Sequence, residues 1–471
     1  MSHLNSGSSG KLKYVDPVAF TPHFAWKRVS SAASGEQVFC EGVSLSAVAD
    51  KFSTPTYVYS SAAVEDAYRE FQQGLSGIGH LICFAVKSNG NLSILQHLAR
   101  LGSGFDIVSG GELRLLQHIG VSGSRIVFSG VGKSREEIRE ALNYRLGARD
   151  RDSGILFFNV ESEAELEILT EEAARIVQKG GKSPATAVRV NPDVLAGGHP
   201  HIATGRHEHK FGLDWKEAKR LYLAHRDSKW IRWAGLSAHI GSQITTLEPF
   251  RRAVKRLVGY VKELKLHDIP LRYLDVGGGL GVRYSDQKPP KRAGYATLIK
   301  ELVRQTDVEV LLEPGRSIIA QSAVLLTRVA YTKTNRGKRF VIVDGAMNDL
   351  MRPSLYGAIH PITKVTRDGR EQRAKRQRAD IVGPVCETGD CFLHDWPLGE
   401  VQAGDLLAIW GAGAYGMALA SNYNARCRPA EVIVEGHSFR LIRRRETQED
   451  LQRTDTLDSG GFCKASLTCS F

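Results

Sequence analysis

Lys87 is the residue whose place in the sequence most clearly suggests chemistry. It follows the short apolar run Leu81–Val86 and precedes a polar turn, Ser88-Asn89-Gly90. A buried strand that ends in a lysine places the amine in an apolar environment, where desolvation disfavours the ammonium form. We therefore expect a neutral amine at Lys87 that can act as a nucleophile or form a Schiff base with a carbonyl group.

Seven further apolar runs share this pattern, and the residues after several of them can also do chemistry. Loops rich in Gly, Asn and Ser often serve only as turns, which accounts for the residues after three of the runs. Turn formation does not account for an imidazole, three consecutive glycines, a carboxylate and a guanidinium in the remaining loops. These groups belong to His239, Gly277, Gly278, Gly279, Glu313 and Arg316.

The eight runs predict the strands of a barrel. Each is rich in Val, Ile, Leu and Phe with little alternation, which is typical of parallel strands buried on both faces. The runs are Leu81–Val86, Phe105–Val108, Arg125–Phe128, Ile155–Phe158, Thr186–Val190, Trp233–Ala238, Leu271–Val276 and Val308–Leu312. Segments with helical apolar spacing lie between them, most clearly Leu92–Leu101, Glu112–Ile119, Arg135–Arg145, Glu161–Gln178, Trp215–His225 and Pro249–Leu266. Ser134 and Asp214 precede two of these segments as helix start signals. Eight such units over about 260 residues predict a (β/α)8 barrel, in which the loops after the strands carry the chemistry.

After Ile318 the pattern changes to strands separated by Gly and Pro turns, which predicts a second, mainly antiparallel β domain. Strand-like segments at Trp26–Val29 and Glu36–Val43 are expected to join it. We predict a barrel over residues 49–318 inserted into a β domain formed by 12–48 and 319–451. Residues 1–11 are predicted to be disordered and 452–471 to form a loose tail.

The composition and charge of the chain argue against several classes of protein and of binding partner. No stretch approaches 18 uninterrupted apolar residues, which argues against a membrane protein. Seven scattered cysteines without a Cys-x-x-Cys pair favour free thiols and a cytoplasmic location. The net charge of +12 raises the alternative of nucleic-acid binding, but much of it lies in two segments, Lys364–Arg378 and Arg443–Arg445. These segments lack interleaved aromatic residues, so we interpret them as solvated charge and expect neither nucleic acid nor membrane as a partner.

A lysine, a glycine run and a carboxylate on one rim meet the requirements for pyridoxal 5'-phosphate (PLP) chemistry. The amine of Lys87 can hold the cofactor as a Schiff base, and the glycine N–H groups can contact its phosphate. A carboxylate that pairs with the ring nitrogen makes the ring an electron sink. His239 is suited to stack on the ring; the alternative is a histidine packed in the barrel wall.

Several longer motifs strengthen this interpretation, and with them the chain resembles the diaminopimelate decarboxylases, which are fold type III, alanine-racemase-like PLP enzymes. The similarity covers about Val43 to Leu451. In the predicted barrel the motifs lie at 84–89, 104–112, 209–212, 239–243, 275–281 and 313–317, and in the second domain at 347–353, 383–390, 411–416 and 443–447.

The resemblance implies a role for each matching residue in the decarboxylation of meso-2,6-diaminopimelate to L-lysine and CO2, the last step of lysine biosynthesis. Lys87 would hold PLP, with the cofactor contacts supplied by His239, Ser242, Gly277, Gly278, Gly279, Glu313, Gly315, Arg316 and Tyr415. The distal carboxylate of the substrate would be bound by Arg316, Arg352 and Tyr356, with Glu387 at the distal ammonium and Tyr415 beside the substrate. Cys386 would return a proton after CO2 leaves. The Cys-Glu loop would come from the partner subunit of a homodimer with shared active sites.

Three alternative functions remain at this point, and the sequence departs from the family pattern in three places. The alternative functions are decarboxylation of a related amino acid, amino-acid racemisation on the same barrel, and a catalytically silent PLP protein that regulates a partner. Arg316 and Arg352 argue against a substrate with only a distal cation.

The segment His199–His209 is unusually rich in histidine, so a metal site is an alternative there; the resemblance implies a loop that closes over the active site without metal. The tail after Leu451 runs past the usual end of the family. Thr388 stands where the family has serine, which keeps the hydroxyl.

Overall fold

The computed structural model describes residues 14–28, 35–146, 154–195, 210–368 and 376–456. The predicted disordered start (1–11), most of the predicted tail (452–471) and the histidine-rich segment 199–209 lie outside this part of the chain. Short strands open the fold, numbered in chain order as β1 (Phe24–Arg28), β2 (Glu36–Cys40), β3 (Val43–Ser44) and β4 (Thr56–Ser60).

The eight predicted barrel strands are confirmed. They are β5 (His80–Ala85), β6 (Gly104–Ile107), β7 (Ile126–Phe128), β8 (Phe157–Val160), β9 (Ala185–Arg189), β10 (Arg232–Ser237), β11 (Tyr273–Asp275) and β12 (Glu309–Leu312). Every neighbouring pair is parallel, and β12 pairs with β5 to close the barrel. A cluster of apolar side chains from these strands, including Phe157, Tyr273 and Leu311, fills the barrel interior. The carboxyl ends of all eight strands therefore meet on one rim.

The helices are α1 (Leu45–Phe52), α2 (Ser61–Leu75), α3 (Leu92–Arg100), α4 (Gly110–His118), α5 (Arg135–Leu142), α6 (Glu163–Val177), α7 (Trp215–Ala224), α8 (Glu248–Lys265), α9 (Arg292–Val303), α10 (Arg316–Ile319), α11 (Arg352–Tyr356) and α12 (Gln448–Gln452). Both predicted start signals are confirmed, because the side chains of Ser134 and Asp214 accept hydrogen bonds from the first turns of α5 and α7. The six predicted helices are present. We did not predict α2 and α9, which pack against each other on the barrel.

The second domain holds the remaining strands: β13 (Ala323–Asn335), β14 (Lys338–Val343), β15 (Ile362–Lys364), β16 (Thr366–Arg367), β17 (Arg378–Val382), β18 (Cys391–Pro397), β19 (Leu406–Trp410), β20 (Ala430–Glu435) and β21 (Ser438–Arg443). Most pair antiparallel, as predicted, but β14 with β17 and β4 with β20 are parallel. A smaller sheet joins β1, β2, β3 and β16. Strand β4 belongs to the larger sheet although it lies after residue 49, so the chain completes part of this sheet before it enters the barrel.

Several described residues of the two basic segments form ion pairs within the molecule. Lys364 contacts Asp405, and Arg367 contacts Asp16 and Glu36. In the second segment Arg443 pairs with Glu431 and Arg444 with Asp450. That neither segment binds nucleic acid stays a prediction. None of the helices in the described part of the chain combines the length and apolar character needed to span a bilayer.

Candidate active site

Lys87 lies in a single 3-10 turn directly after β5, at the rim of the barrel. Its Nζ atom lies 2.9 Å from Oδ2 of Asp106, a fully buried residue on the neighbouring strand β6. Burial alone would lower the pKa of Lys87, but the carboxylates of Asp106 and Glu313 outweigh it and raise the pKa above its usual value. Our expectation of a neutral amine was therefore wrong for the free side chain, because the rim is acidic rather than apolar.

Glu313 and Asp275 form a buried pair of carboxyl groups on this rim. Ser129 donates a hydrogen bond of 3.3 Å to Glu313, and Asn159 donates one of 3.1 Å to Asp275. Burial and the neighbouring carboxylates raise the pKa of Glu313 well above its usual range, and burial raises that of Asp275. Two buried carboxyl groups in contact cannot both ionise without a compensating cation, so the pair is suited to hold a proton.

His239 and the glycine run form another wall of the pocket. The backbone N–H of Gly278 donates to Nδ1 of His239 at 3.0 Å, so this ring nitrogen is unprotonated. Burial and the nearby charges of Arg189 and Lys87 lower the pKa of His239 well below its usual value, which keeps the imidazole neutral. A Cβ atom at Gly278 would lie 2.2 Å from the carbonyl oxygen of Glu313, so any other residue would displace this backbone.

Arg316 begins helix α10 immediately after Gly315 and is buried. Its guanidinium donates to Oγ of Ser242 from Nη2 at 3.2 Å and lies over the ring of Tyr415, 5.0 Å from the centroid. Nη1 donates to the hydroxyl of Tyr284 at 3.1 Å. The structure thus brings three residues predicted for the cofactor or substrate, Ser242, Arg316 and Tyr415, into one group.

Arg352 comes from the second domain, at the start of helix α11, which ends at Tyr356. It is also buried, and its Nη1 donates to Tyr284 at 3.0 Å and to Nε2 of His360 at 2.7 Å. The two arginines are therefore linked through one tyrosine hydroxyl. The pocket is built at the junction of the two domains.

Cys386 and Glu387 are not brought into this group within one chain. They lie on an exposed loop between β17 and β18. The N–H of Cys386 donates to Asn424, and Glu387 accepts a hydrogen bond of 3.0 Å from the hydroxyl of Tyr423. All of these contacts lie in the second domain.

The pocket residues fit PLP. Lys87 offers an amine, Glu313 offers a carboxyl group beside it, and Gly278 keeps the backbone open where a side chain could not fit. The carboxyl groups of Asp106, Asp275 and Glu313 outnumber the single amine of Lys87 in this part of the pocket. This excess of acidic groups favours a ligand with a cationic ring nitrogen. Two buried acceptor atoms in the described residues, Oδ1 of Asp106 and Oδ1 of Asn159, have no hydrogen-bond partner and can receive a donor.

Comparison with known proteins supports this interpretation. Residues 61–320 match the family model of the pyridoxal-dependent decarboxylases, pyridoxal binding domain. Diaminopimelate decarboxylase of Pseudomonas aeruginosa is 48% identical over 421 residues, which cover 89% of this chain and 97% of the relative. The chain belongs to the diaminopimelate decarboxylase family. It is accordingly a PLP-dependent carboxy-lyase.

Solved members of the diaminopimelate decarboxylases have the same fold. The crystal structure of the enzyme from Helicobacter pylori complexed with L-lysine is 42% identical, with a TM-score of 0.80, and the match covers 87% of this chain and 98% of that one. The enzyme from M. jannaschii in complex with L-lysine is 33% identical, with a TM-score of 0.82, over 93% of this chain and 98% of that one. The barrel with a separate β-sheet domain is thus the fold of this decarboxylase family.

We did not assign roles to several residues that the structure places in the site. Asp106 and Asp275 each interrupt an apolar run with a carboxylate, and that interruption is a signal available in the sequence. Tyr284 and His360 follow no such pattern, because each is a single residue in a loop that only the fold brings to the arginines.

A separate cluster lies in the second domain, where ligand atoms of Asp380, Cys391 and His394 lie within 4.8 Å of one another. The Asp380 carboxylate already pairs with Lys338 at 2.7 Å. We expected no metal in this protein, and this cluster does not change that expectation.

Proposed function

We propose that this chain decarboxylates meso-2,6-diaminopimelate to L-lysine with the pocket formed by Lys87, Glu313, Arg316 and Arg352. The observation that carries the proposal is the pair of buried guanidiniums near the lysine. Within the described part of the chain, their hydrogen-bond partners are Ser242, Tyr284 and His360, and none of these is a carboxylate. Two buried cations without an anionic partner favour an anionic ligand, such as a second carboxylate on the substrate.

The cofactor would be held by Lys87, His239, Ser242, Gly277, Gly278, Gly279, Glu313, Gly315, Arg316 and Tyr415. When bound, PLP supplies an electron-withdrawing ring that accepts the electron pair left by the departing carboxylate. Glu313 would pair with the ring nitrogen, and a cation there would lower the pKa that its acidic neighbours now raise. The neutral imidazole of His239 would pack against the ring face without adding charge.

Arg316 and Arg352 would bind the distal carboxylate, together with Tyr356. Nε of Arg352 is buried and has no hydrogen-bond partner among the described residues, so it is a donor available to such a ligand. Planar guanidinium groups bind carboxylates through two parallel hydrogen bonds, which distinguishes a substrate with a second carboxylate from one with only a distal amine. Tyr415, beneath Arg316, would border the same subsite.

Cys386 and Glu387 would complete the site from the partner subunit of a homodimer. Their loop is exposed in the single chain, where the hydrogen bonds of Cys386 and Glu387 go to Asn424 and Tyr423 of the second domain. In the proposed dimer the thiol of Cys386 returns a proton to the carbon that lost CO2, and Glu387 meets the distal ammonium. The five cysteines in the described residues are free, which is consistent with the cytoplasmic location that we also propose.

The purified protein, loaded with PLP, should be given meso-diaminopimelate while CO2 and L-lysine are measured. L-Ornithine, L-arginine and L-lysine serve as parallel substrates. We expect equal amounts of CO2 and L-lysine from meso-diaminopimelate and little CO2 from the other three. Faster turnover of any of these three would contradict the substrate assignment, and a racemised product that retains both carboxylates would contradict decarboxylation.

A further inference from the structure

Two residues without an assigned role, Tyr284 and His360, hold the arginines of the pocket in place. Tyr284 accepts hydrogen bonds from Nη1 of Arg316 at 3.1 Å and from Nη1 of Arg352 at 3.0 Å. His360 accepts a third, of 2.7 Å, from the same Nη1 of Arg352. All four side chains are buried. This network joins the two guanidiniums through one hydroxyl and fixes Arg352 by a second acceptor.

The tyrosine joins two like charges that would otherwise repel each other in a low-dielectric pocket. Burial alone would raise the pKa of Tyr284, but the charges of Arg352 and Arg316 lower it. The phenol oxygen lies within hydrogen-bond distance of both guanidiniums, and their charges are the cause of this shift. A hydroxyl at this position partly compensates both charges while leaving each of them available to an anion.

The histidine fixes Arg352 in one orientation. Its Nδ1 atom lies 2.8 Å from the carbonyl oxygen of Trp410, so it donates there and leaves Nε2 as the acceptor for Arg352. Burial and the nearby Arg352 lower the pKa of His360 well below its usual value, which keeps Nε2 unprotonated. Both hydrogens of Arg352 Nη1 are then used by Tyr284 and His360, and Nε, which has no hydrogen-bond partner among the described residues, remains for a ligand.

We propose that Tyr284 and His360 are positioning residues that set the selectivity of this pocket for a ligand with a distal carboxylate. The proposal rests on the function proposed above, because it assigns the two arginines to that carboxylate. Neither residue acts on the reacting carbon. Their contribution is to hold Arg316 and Arg352 at the spacing and orientation that one carboxylate needs.

L-Lysine and 1,5-diaminopentane form a matched pair of probes. Conversion of meso-diaminopimelate to L-lysine removes the carboxylate of the D centre, so the product keeps the carboxylate of the L centre, which is distal to the reaction. 1,5-Diaminopentane is L-lysine without that carboxylate. A difference in binding between the two compounds therefore reports on the distal subsite alone.

The test is calorimetric titration of both compounds into PLP-loaded wild-type protein and into the Tyr284→Phe variant. We expect the variant to bind L-lysine about 10-fold more weakly, because two hydrogen bonds to charged groups are lost, and to bind 1,5-diaminopentane unchanged. In turnover, KM for meso-diaminopimelate should rise by a similar factor while kcat changes less than about threefold. Tyr295→Phe is the matched control, since its buried hydroxyl has no hydrogen-bond partner in the described structure.

Two variants of His360 test whether this residue acts by accepting a hydrogen bond from Arg352 or only by filling space. His360→Gln can still present an acceptor to Arg352, whereas His360→Leu cannot, so we expect selectivity for L-lysine to be retained in the first and lost in the second. Equal weakening of both compounds in Tyr284→Phe, or a fall in kcat with KM unchanged, would overturn the proposal. The binding measurement does not depend on whether the protein decarboxylates a substrate. A wild-type protein that binds L-lysine selectively but releases no CO2 would count against the proposed function and not against this inference.

Discussion

At the scale of single residues, the site depends on how buried charges offset one another. Lys87 is a strand-end lysine, as the sequence suggests, but its state is decided by Asp106 on the next strand. Although burial lowers the pKa of Lys87, its acidic neighbours raise it further, which favours the ammonium form over the expected neutral amine. Covalent capture of PLP by Lys87 must therefore include loss of a proton from an amine that its neighbours hold in the charged form.

Replacing Asp106 by Asn should accelerate this capture near neutral pH. The carboxylate of Asp106 raises the pKa of Lys87, so its removal lowers that pKa and increases the neutral fraction at any pH below it. The measurement is the rate at which apo-protein binds PLP, followed by absorbance as a function of pH. We expect the rate of PLP binding to begin its rise at a lower pH in the Asp106→Asn variant than in the wild type. The Lys87→Ala variant, which lacks the amine, gives the background rate. An unchanged pH dependence would show that Asp106 does not control the amine.

Replacing Asp275 by Asn should shift the acid side of the pH profile. The charge and hydrogen bond of Asp275 raise the pKa of Glu313, so the variant lowers that pKa, and protonation of Glu313 then needs a lower pH. We expect the acid limb of kcat/KM to move to lower pH. Asp286→Asn, at an exposed position after the glycine run, serves as the control. A shift toward higher pH would contradict the assigned coupling.

At the scale of elements, helices α5 and α6 are joined by a carboxylate with three cationic partners. Glu172 on α6 is nearly fully buried and contacts Arg135 and Arg139 of α5, each at 2.9 Å, and Arg175 of its own helix at 3.0 Å. Hydrogen bonds from Arg139 and Arg135 outweigh burial and lower the pKa of Glu172 to about 2. This ion-pair network stabilises the packing of one barrel helix against the next.

We expect Glu172→Gln to lower the free energy of unfolding by about 1–2 kcal/mol at pH 7, measured by urea denaturation. Because the folded pKa is depressed, the contribution is complete above the unfolded pKa near 4.5 and is lost as pH falls toward about 2. The difference between variant and wild type should therefore be constant from pH 8 to about 5 and shrink below that. Glu171→Gln, which removes an exposed partner of Arg135, should change stability by less than about 0.5 kcal/mol. Equal effects of the two variants would contradict the role of the buried carboxylate.

Some strands and helices of the fold could be predicted from the sequence, and others could not. The barrel strands could be predicted because parallel strands buried on both faces leave uninterrupted apolar runs, and α5 and α7 because their caps are encoded locally at Ser134 and Asp214. Strand β4 could not be assigned to the second domain, since its partners β13 and β20 are hundreds of residues away. Helix α9 has no side-chain cap at its start, and we did not predict it.

At the scale of the whole molecule, the site exists only because two domains meet. Lys87, His239 and Arg316 come from the barrel, and Arg352 and Tyr415 come from the second domain. The residue types could be predicted from motifs, but their connections through Tyr284 could not, because three distant segments meet at that hydroxyl. The Cys386 loop remains exposed in the single chain, and the proposed dimer supplies the active-site partner that one chain does not.

Subunit complementation tests the shared active site most directly. Lys87→Ala and Cys386→Ala variants, each nearly inactive alone, are co-expressed so that mixed dimers form, and CO2 release from meso-diaminopimelate is measured. If Lys87 of one subunit works with Cys386 of the other, each mixed dimer has one site with both native residues, and the mixture should recover about a quarter of wild-type activity. Activity no higher than that of the separate variants would contradict the account, because it would place both residues in a site formed by a single chain.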